Sequence, residues 1–313
     1  MQHETGPAEG LHTMIQRNKE EISKLNLQIE DAIENYPNTQ NILRAFQNVL
    51  LAKKRLVEGE ISVDVDVSNV STNRLEECVP VCRQIQLFSS DEPWEKVSFS
   101  LIPPIMTGFP ALAKEMKKIE EAIKNEVFEF TEYFTSFPEL KNDIVLKWAS
   151  MTGIRPEVFQ FFLINILKPV LGAKAKKAIP ILGEFTWDKG FCPFCGGFPE
   201  IAVIKDKITE RWLHCSCCGH QWRYNRIVCP YCGYEAKEEG STYFFVEGKD
   251  QECAFVCDQC NRYLITLRRI RDTHELNPDI VSMKLCHLDA LMQEKGFSPV
   301  AITEWNVFEP EVQ

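Results

Sequence analysis

"CPFCGG" at residues 192–197 is the first of four Cys-x-x-Cys stretches that decide how this chain folds. The others are "HCSCCGHQW" at 214–222, "CPYCGY" at 229–234 and "CDQCNRY" at 257–263. Ten of the 13 cysteines lie between Cys192 and Cys260, so the 313-residue chain divides near residue 185 into a cysteine-poor and a cysteine-rich half. Thiols placed in this way can be metal ligands, redox dithiols or disulfides.

The cysteine-rich half repeats one order of features. A Cys pair is followed by an apolar strand, a polar turn at Lys205–Lys207, a second strand, a second Cys pair and a third strand. The same order returns 37 residues later, measured between Cys192 and Cys229. A tandem repeat of one supersecondary unit explains this order. We therefore predict two three-stranded ribbons, each with Cys-x-x-Cys turns at two corners.

The residue after each Cys pair favours metal knuckles over disulfides. A metal knuckle bends the backbone so that this residue commonly adopts positive φ, which glycine takes freely and asparagine tolerates. All four positions meet this requirement: Gly196, Gly219, Gly233 and Asn261. Disulfides need no such pattern, and they are rare in a reducing compartment. Thioredoxin-like dithiols need a helix after the first Cys, whereas these pairs interrupt short strands.

Each ribbon is therefore predicted to hold one metal ion on four thiolates. The first set is Cys192, Cys195, Cys215 and Cys218, and the second is Cys229, Cys232, Cys257 and Cys260. Four soft thiolates suit zinc or a single iron, and this choice stays open. A site closed by four protein ligands has no position for water, which argues against catalysis at the metal.

Several nearby residues are predicted not to be ligands. Cys217 and Cys253 are left over when each set is complete, and His214 and His220 are expected to form hydrogen bonds or pack. Cys78 and Cys82 are expected four residues apart on one helix face, where core packing is favoured over metal binding.

The first 185 residues have the apolar periodicity of an all-α domain. Helices are predicted over 11–36, 74–88, 110–135, 139–151 and 156–171, with Pro80 as a kink or boundary. Another helix is predicted from a cap at Asn38 or Thr39 to near Gly59. Residues 60–70 alternate apolar and acidic side chains and predict a short edge strand or an extended linker. A further helix is predicted over Asp279–Lys295, beside the helical half or bridging it to the ribbons. The fold class is therefore α+β.

Composition excludes several functional classes. The formal charge is −10, and residues 190–272 contain 11 basic and 11 acidic side chains, a balance that disfavours nucleic-acid binding. Residues 1–10 do not resemble a secretory signal, and no long uninterrupted apolar run predicts membrane insertion. We expect a cytoplasmic protein. The sequence contains no P-loop, Gly-x-Gly-x-x-Gly or Ser-His-Asp pattern, so no enzyme activity is predicted.

At these motifs the chain resembles the bacterial formate dehydrogenase accessory proteins, the FdhE family. The resemblance spans about residues 188–308 and rests on four motifs and a tail. They are Cys192-Pro-x-Cys195-Gly196-x-x-Pro199, His214-Cys215-x-x-Cys218-x-x-x-Trp222, Arg226-x-x-Cys229-x-x-Cys232, Cys257-x-x-Cys260-x-x-Tyr263-Leu264 and "LDALMQEKGF" at 288–297. The N-terminal half is similar only in being helical.

This resemblance implies an assembly factor for respiratory formate dehydrogenases, whose catalytic subunits carry molybdenum or tungsten and an iron–sulfur cluster. It implies a helical domain over 1–185, rubredoxin-like or zinc-ribbon modules over 186–228 and 229–272, and a helix and tail over 273–313. The expected partner is the formate dehydrogenase catalytic subunit, and a homodimer stays open. Two alternatives are a rubredoxin-like iron electron carrier and a nucleic-acid-binding zinc-ribbon protein.

Overall fold

The protein is described here from a computed structural model that covers residues 7–205, 210–235, 241–246, 248–271 and 276–306. The helices are α1 (Pro7–Asn35), α2 (Gln40–Arg55), α3 (Thr72–Glu76), α4 (Trp94–Gly108), α5 (Ala113–Lys124), α6 (Phe130–Phe134), α7 (Asn142–Thr152), α8 (Pro156–Leu182), α9 (Pro278–Lys284) and α10 (Cys286–Glu294). The strands are β1 (Pro199–Lys205), β2 (Arg211–Cys215), β3 (Gln221–Tyr224), β4 (Ser241–Val246), β5 (Lys249–Cys257), β6 (Arg262–Ile270) and β7 (Ser298–Pro299). The predicted α+β class is confirmed.

The N-terminal half is helical because its apolar residues recur at helical spacing and meet in one core. Helix α2 buries Leu43, Phe46 and Leu50 on one face. Helix α8 buries residues on most of its surface, including Phe159 and Phe162, which are both fully buried. The central position predicted for the segment 156–171 is therefore confirmed.

Helix α8 is long and apolar enough to cross a membrane when only its length and composition are considered. However, 72% of its most apolar window is buried inside the protein. Burial of this extent is typical of the core helix of a folded domain. The same helix also sends Lys174 inward, where its ammonium lies 2.6 Å from the carboxylate of Glu92.

Two expectations for residues 60–90 are settled by local geometry. Residues 61–70 form no strand, and they are a linker with a turn at 68–69. Lys177 holds this linker, because its ammonium donates to the Val63 carbonyl at 2.5 Å. The helix predicted over 74–88 is wrong: only α3 and a 3₁₀ turn at Val81–Arg83 form there. Cys78 has a φ of +64° and separates the two, so Cys78 and Cys82 do not share a helix face.

The two predicted ribbons are present, but they are joined in one sheet. Strands β1, β2 and β3 form an antiparallel ribbon, as do β4, β5 and β6. Strands β1 and β6 then pair in parallel, with Ile201 opposite Ile265. The resulting order is β3-β2-β1-β6-β5-β4, with β7 on β6. Parallel strands need a long crossover connection, so no turn motif in the sequence predicts the pairing of β1 with β6.

The C-terminal segment joins the helical half to the sheet. The single helix predicted over Asp279–Lys295 is divided at Leu285 into α9 and α10. Ile280 and Met283 belong to the helical core, whereas Leu288 and Met292 pack against β1, β5 and β6. The C-terminal helices therefore bridge the two parts.

Candidate metal centres

All four Cys-x-x-Cys pairs form the same turn. The amide of the residue after each second cysteine donates to the carbonyl of the first cysteine, at 2.9 to 3.2 Å. The residues at this position have the predicted left-handed conformation, with φ of +73° at Gly196, +71° at Gly219, +73° at Gly233 and +57° at Asn261. The backbone rule on which the metal prediction was based is therefore seen at every pair.

The eight predicted ligands meet in two groups of four. In the first group, Sγ atoms lie 3.6 Å apart between Cys192 and Cys218 and 3.4 Å apart between Cys195 and Cys215. We call this group the first centre. Its four Sγ atoms all lie within 4.8 Å of one another, and all four residues are buried.

The second centre is formed by Cys229, Cys232, Cys257 and Cys260, whose Sγ atoms also lie within 4.8 Å of one another. Sγ atoms are 3.7 Å apart between Cys229 and Cys260 and also between Cys232 and Cys257. Cys232 is exposed and Cys260 is partly exposed, in contrast to the first centre. No further group of three or more His, Cys, Asp or Glu ligand atoms is found in the part of the chain that the structure describes.

These distances fit a tetrahedral metal ion. Four sulfurs at about 2.3 Å from a central ion lie about 3.8 Å from each other, and a disulfide bond would be about 2.05 Å. Four thiolates held this close together in a largely buried position repel one another and need a compensating cation. A Cβ on Gly197 would lie 3.2 Å from Cys215 Sγ and 3.4 Å from Cys195 Sγ, so glycine makes room for these sulfurs. A thiophilic dication, iron or zinc, fits both centres, and its assignment to these eight cysteines stays a prediction.

The remaining thiols have other surroundings. Cys217 lies against the first centre, where its amide donates to Cys215 Sγ at 3.4 Å. Cys253 is fully buried in β5 and its thiol donates to the Thr266 carbonyl at 3.3 Å. The thiol of Cys78 donates to Asp188 Oδ1 at 3.0 Å, and Cys82 is buried.

The two histidines beside the second Cys pair lie outside the thiolate groups. His214 Nδ1 lies 3.1 Å from Glu200 Oε1 within the sheet. Burial lowers the pKa of His220 to about 4, so its imidazole is neutral at pH 7. Its backbone carbonyl accepts from the Cys215 amide at 2.9 Å. Burial and the nearby Asp279 carboxylate raise the pKa of Glu200 to about 7.

The helical half is attached directly to the first centre. The amides of Val81 and Cys82 donate to the carbonyls of Pro193 and Phe194, both at 2.9 Å. These two carbonyls belong to the first Cys-x-x-Cys turn. On the other side, Trp222 is buried and its indole donates to the Lys189 carbonyl at 3.0 Å. Trp222 therefore covers the core and adds nothing to the exposed surface.

Sequence reasoning missed a buried arginine next to the second centre. Arg211 in β2 is 1% exposed, and its guanidinium donates to the carbonyls of Asn225 and Val228. It stacks on Tyr224 and Phe255 at 5.1 and 5.3 Å from the ring centroids. Val228 immediately precedes Cys229, so Arg211 fixes the chain where it enters the second centre. A single basic residue in a short strand gives no sequence signal for this role.

Comparisons with known proteins point to one family. The sequence model described as "FdhE, central domain" matches residues 191–226, which contain the whole first centre. The chain is FdhE-like. A protein named Protein FdhE homolog, from Aquifex aeolicus (strain VF5), is 27% identical over 276 residues, covering 85% of this chain and 89% of the relative. Protein FdhE of Escherichia coli (strain K12) is 25% identical over 237 residues, which are 70% of this chain and 67% of that protein.

The similarity to FdhE proteins extends to the fold. The crystal structure of the FdhE protein from Pseudomonas aeruginosa superimposes with a TM-score of 0.59 at 17% sequence identity. The match covers 90% of this chain and 94% of that chain, so it includes the helical half as well as the sheet. The resemblance first noted in the cysteine motifs therefore holds for the architecture of both halves.

Proposed function

We propose that this FdhE-like chain is a cytoplasmic accessory protein for the maturation of formate dehydrogenase. It binds the catalytic subunit of that enzyme and does not itself oxidise formate. The observation on which this rests is the relation to proteins named FdhE over 85% of the chain, combined with two thiolate groups closed by four cysteines each. A metal held by four protein ligands has no free position for substrate.

The surface around the second centre supports a protein partner. Tyr231 is 41% exposed and Tyr234 is 37% exposed, and both lie in or beside the third Cys-x-x-Cys turn. The guanidinium of Arg262 stacks on Tyr231 at 3.9 Å from the ring centroid. Exposed Ile227 adds an aliphatic side chain to the same surface. Tyrosine and arginine are enriched among the residues that contribute most to protein interfaces.

A deletion strain tests the accessory role. We expect the formate dehydrogenase catalytic subunit to be present on an immunoblot, while formate-dependent dye reduction is lost. The wild-type gene restores this activity. Normal formate oxidation in the deletion strain, with no second copy of the gene, would refute the proposal.

Binding of the catalytic subunit needs a separate measurement with purified proteins. A double variant Ile227→Ser with Tyr231→Ser is expected to weaken capture of the subunit while both metal centres stay loaded. Met151→Ser is the matched control, since Met151 is 60% exposed on helix α7, far along the chain from both centres. Equal capture by both variants would place the interface elsewhere. Capture lost in both would indicate a general effect on the protein.

One alternative function is favoured by a specific feature. Exposure of Cys232 leaves one side of the second centre open to solvent, and an iron held there would lie near the surface, where it could exchange electrons with a partner. Anaerobically prepared protein would then show a reversible iron couple in a potentiometric titration followed by visible absorption. Zinc in both centres after anaerobic preparation removes this alternative and leaves the accessory role unaffected.

A further inference from the structure

The two centres differ in how deeply their cysteines are buried. The four cysteines of the first centre are between 0% and 7% exposed. In the second centre Cys229 and Cys257 are buried, Cys260 is partly exposed and Cys232 is exposed. The two centres therefore have the same turns and the same four-cysteine ligands, but they differ in exposure to solvent.

The first centre is part of the main core. Its cysteines pack in the same apolar cluster as helices α2, α4 and α8. The amides of Val81 and Cys82 hold its first turn, as described above. A Cβ on Gly172 of α8 would lie 3.4 Å from the Cys218 carbonyl, so helix α8 passes close to the second turn. The helical half therefore packs directly against this centre.

The second centre has a small core of its own. Its buried members are Cys229, Phe255 and Cys257, with Tyr243 and Cys260 packed against them. The fourth turn is anchored, because the Asn261 side chain donates to the Gly296 carbonyl at 2.8 Å. In the third turn, however, the ligand Cys232 faces solvent.

We propose that the two centres have different roles: the first is a permanent structural centre, and the second exchanges its metal while the rest of the protein stays folded. The metal ion that exchanges is a thiophilic dication such as zinc. Exchange would begin where a chelating donor reaches the metal beside Cys232. The chelator would replace all four sulfur bonds in turn and carry the metal away, and the released thiolates would be protonated from the buffer. At the first centre all four cysteines are at most 7% exposed, so the same approach is far less accessible there. This proposal concerns metal exchange alone and stands apart from the accessory role.

The full-length protein loaded with two equivalents of zinc provides the test. Zinc release to the chromophoric chelator 4-(2-pyridylazo)resorcinol should follow two phases of one equivalent each. Because local opening needs less free energy than opening of the core, we expect the phases to differ at least about tenfold in rate. Far-ultraviolet circular dichroism should keep its helical signal through the fast phase and lose it only with the slow one.

Variants assign the phases. Cys232→Ser should abolish or greatly accelerate the fast phase and leave the slow phase and the helical signal unchanged. Cys260→Ser, in the other turn of the same centre, should do the same. Cys253→Ser is the control, since this thiol is buried in β5 outside both centres. A single release phase, a fast phase unchanged in both variants, or helical signal lost together with the first equivalent would each overturn the proposal.

Discussion

Replacing Glu304 by Gln should strongly destabilise the protein, because this carboxylate joins three parts of the chain. Glu304 follows the C-terminal helices and is 3% exposed. Its carboxylate lies 2.5 Å from the Lys168 ammonium of α8 and 3.5 Å from the Lys53 ammonium of α2. Both lysine side chains are at least 86% buried. A neutral Gln would remove the carboxylate that contacts both buried ammonium groups and leave the more distant Asp279 as their shared negative neighbour.

The magnitude follows from the ionisation of this carboxylate. Burial opposes its charge, but Lys168 and then Lys53 outweigh burial and lower the pKa of Glu304 to about 2. Relative to the ordinary value of 4.5, this shift corresponds to about 3 kcal/mol, at 1.36 kcal/mol per pKa unit. Removing one partner of a buried ion pair costs about 3–5 kcal/mol in general, which agrees. Burial lowers the pKa of Lys53, while Glu304 raises that of Lys168, so Lys168 is the closer partner.

Urea unfolding of metal-loaded protein at pH 7 measures this effect. The free energy of unfolding of Glu304→Gln should fall by about 3 kcal/mol. Because the pKa is depressed in the folded state, the stabilisation is complete above the unfolded pKa and is lost as pH falls toward about 2. The difference between wild type and variant should therefore be constant from pH 6 to 8. Glu294→Gln, at an exposed position of α10, is the control. A loss no larger than in this control would refute the reasoning.

Three further predictions concern single positions near the centres. Gly197→Ala should lower metal affinity at the first centre, measured by chelator competition, because its Cβ would lie 3.0 Å from Cys217 Sγ and overpacking of this kind costs about 1–3 kcal/mol. Adding Cys217→Ala to this variant should restore part of the affinity, since the shortest of the close contacts is then removed. Arg211→Met should weaken zinc binding at the second centre by about tenfold or more, because the Val228 carbonyl loses its buried donor; equal weakening at the first centre would contradict this. Glu200→Gln should gain stability relative to wild type as pH rises from 5.5 to 8. The folded-state pKa of Glu200 is raised to about 7, so the wild-type protein loses free energy of unfolding as this carboxyl ionises. Unfolding curves at pH 5.5 and pH 8 measure the difference.

The sequence predicted the local chemistry of the sheet well, because that chemistry depends on short spacings. The Cys-x-x-Cys turns and the residues with positive φ after them follow from neighbours along the chain, and the two groups of four thiols follow from the order of the repeated unit. The helix α4 was missed, because Pro103 and Pro104 lie inside it and the pattern of good helix formers is interrupted there. The helix expected over 74–88 failed for the reason seen at Cys78, where the backbone turns to positive φ.

What the sequence could not predict depends on contacts between distant residues. The pairing of Ile201 with Ile265 joins two ribbons without any turn between them. The ion pair of Lys168 with Glu304 joins residues 136 positions apart. The apolar periodicity of a segment indicates which of its side chains face a core. It does not indicate which other helix or strand packs against those side chains.

The position of the two centres follows from the alternation of side chains along the sheet. In β5, Ala254 and Val256 point to the face covered by α10, and Phe255 points to the opposite face, toward the second centre. In β1, Ile201 belongs to the same cluster as Ala254, and Ala202 belongs to the helical core that contains the first centre. One face of the sheet is thus covered by the C-terminal helices along both ribbons. The other face is divided: the helical half covers the first ribbon and its centre, and the second centre lies in a small cluster of its own. A shared sheet therefore supports both centres, and the helical half makes only one of them part of the main core.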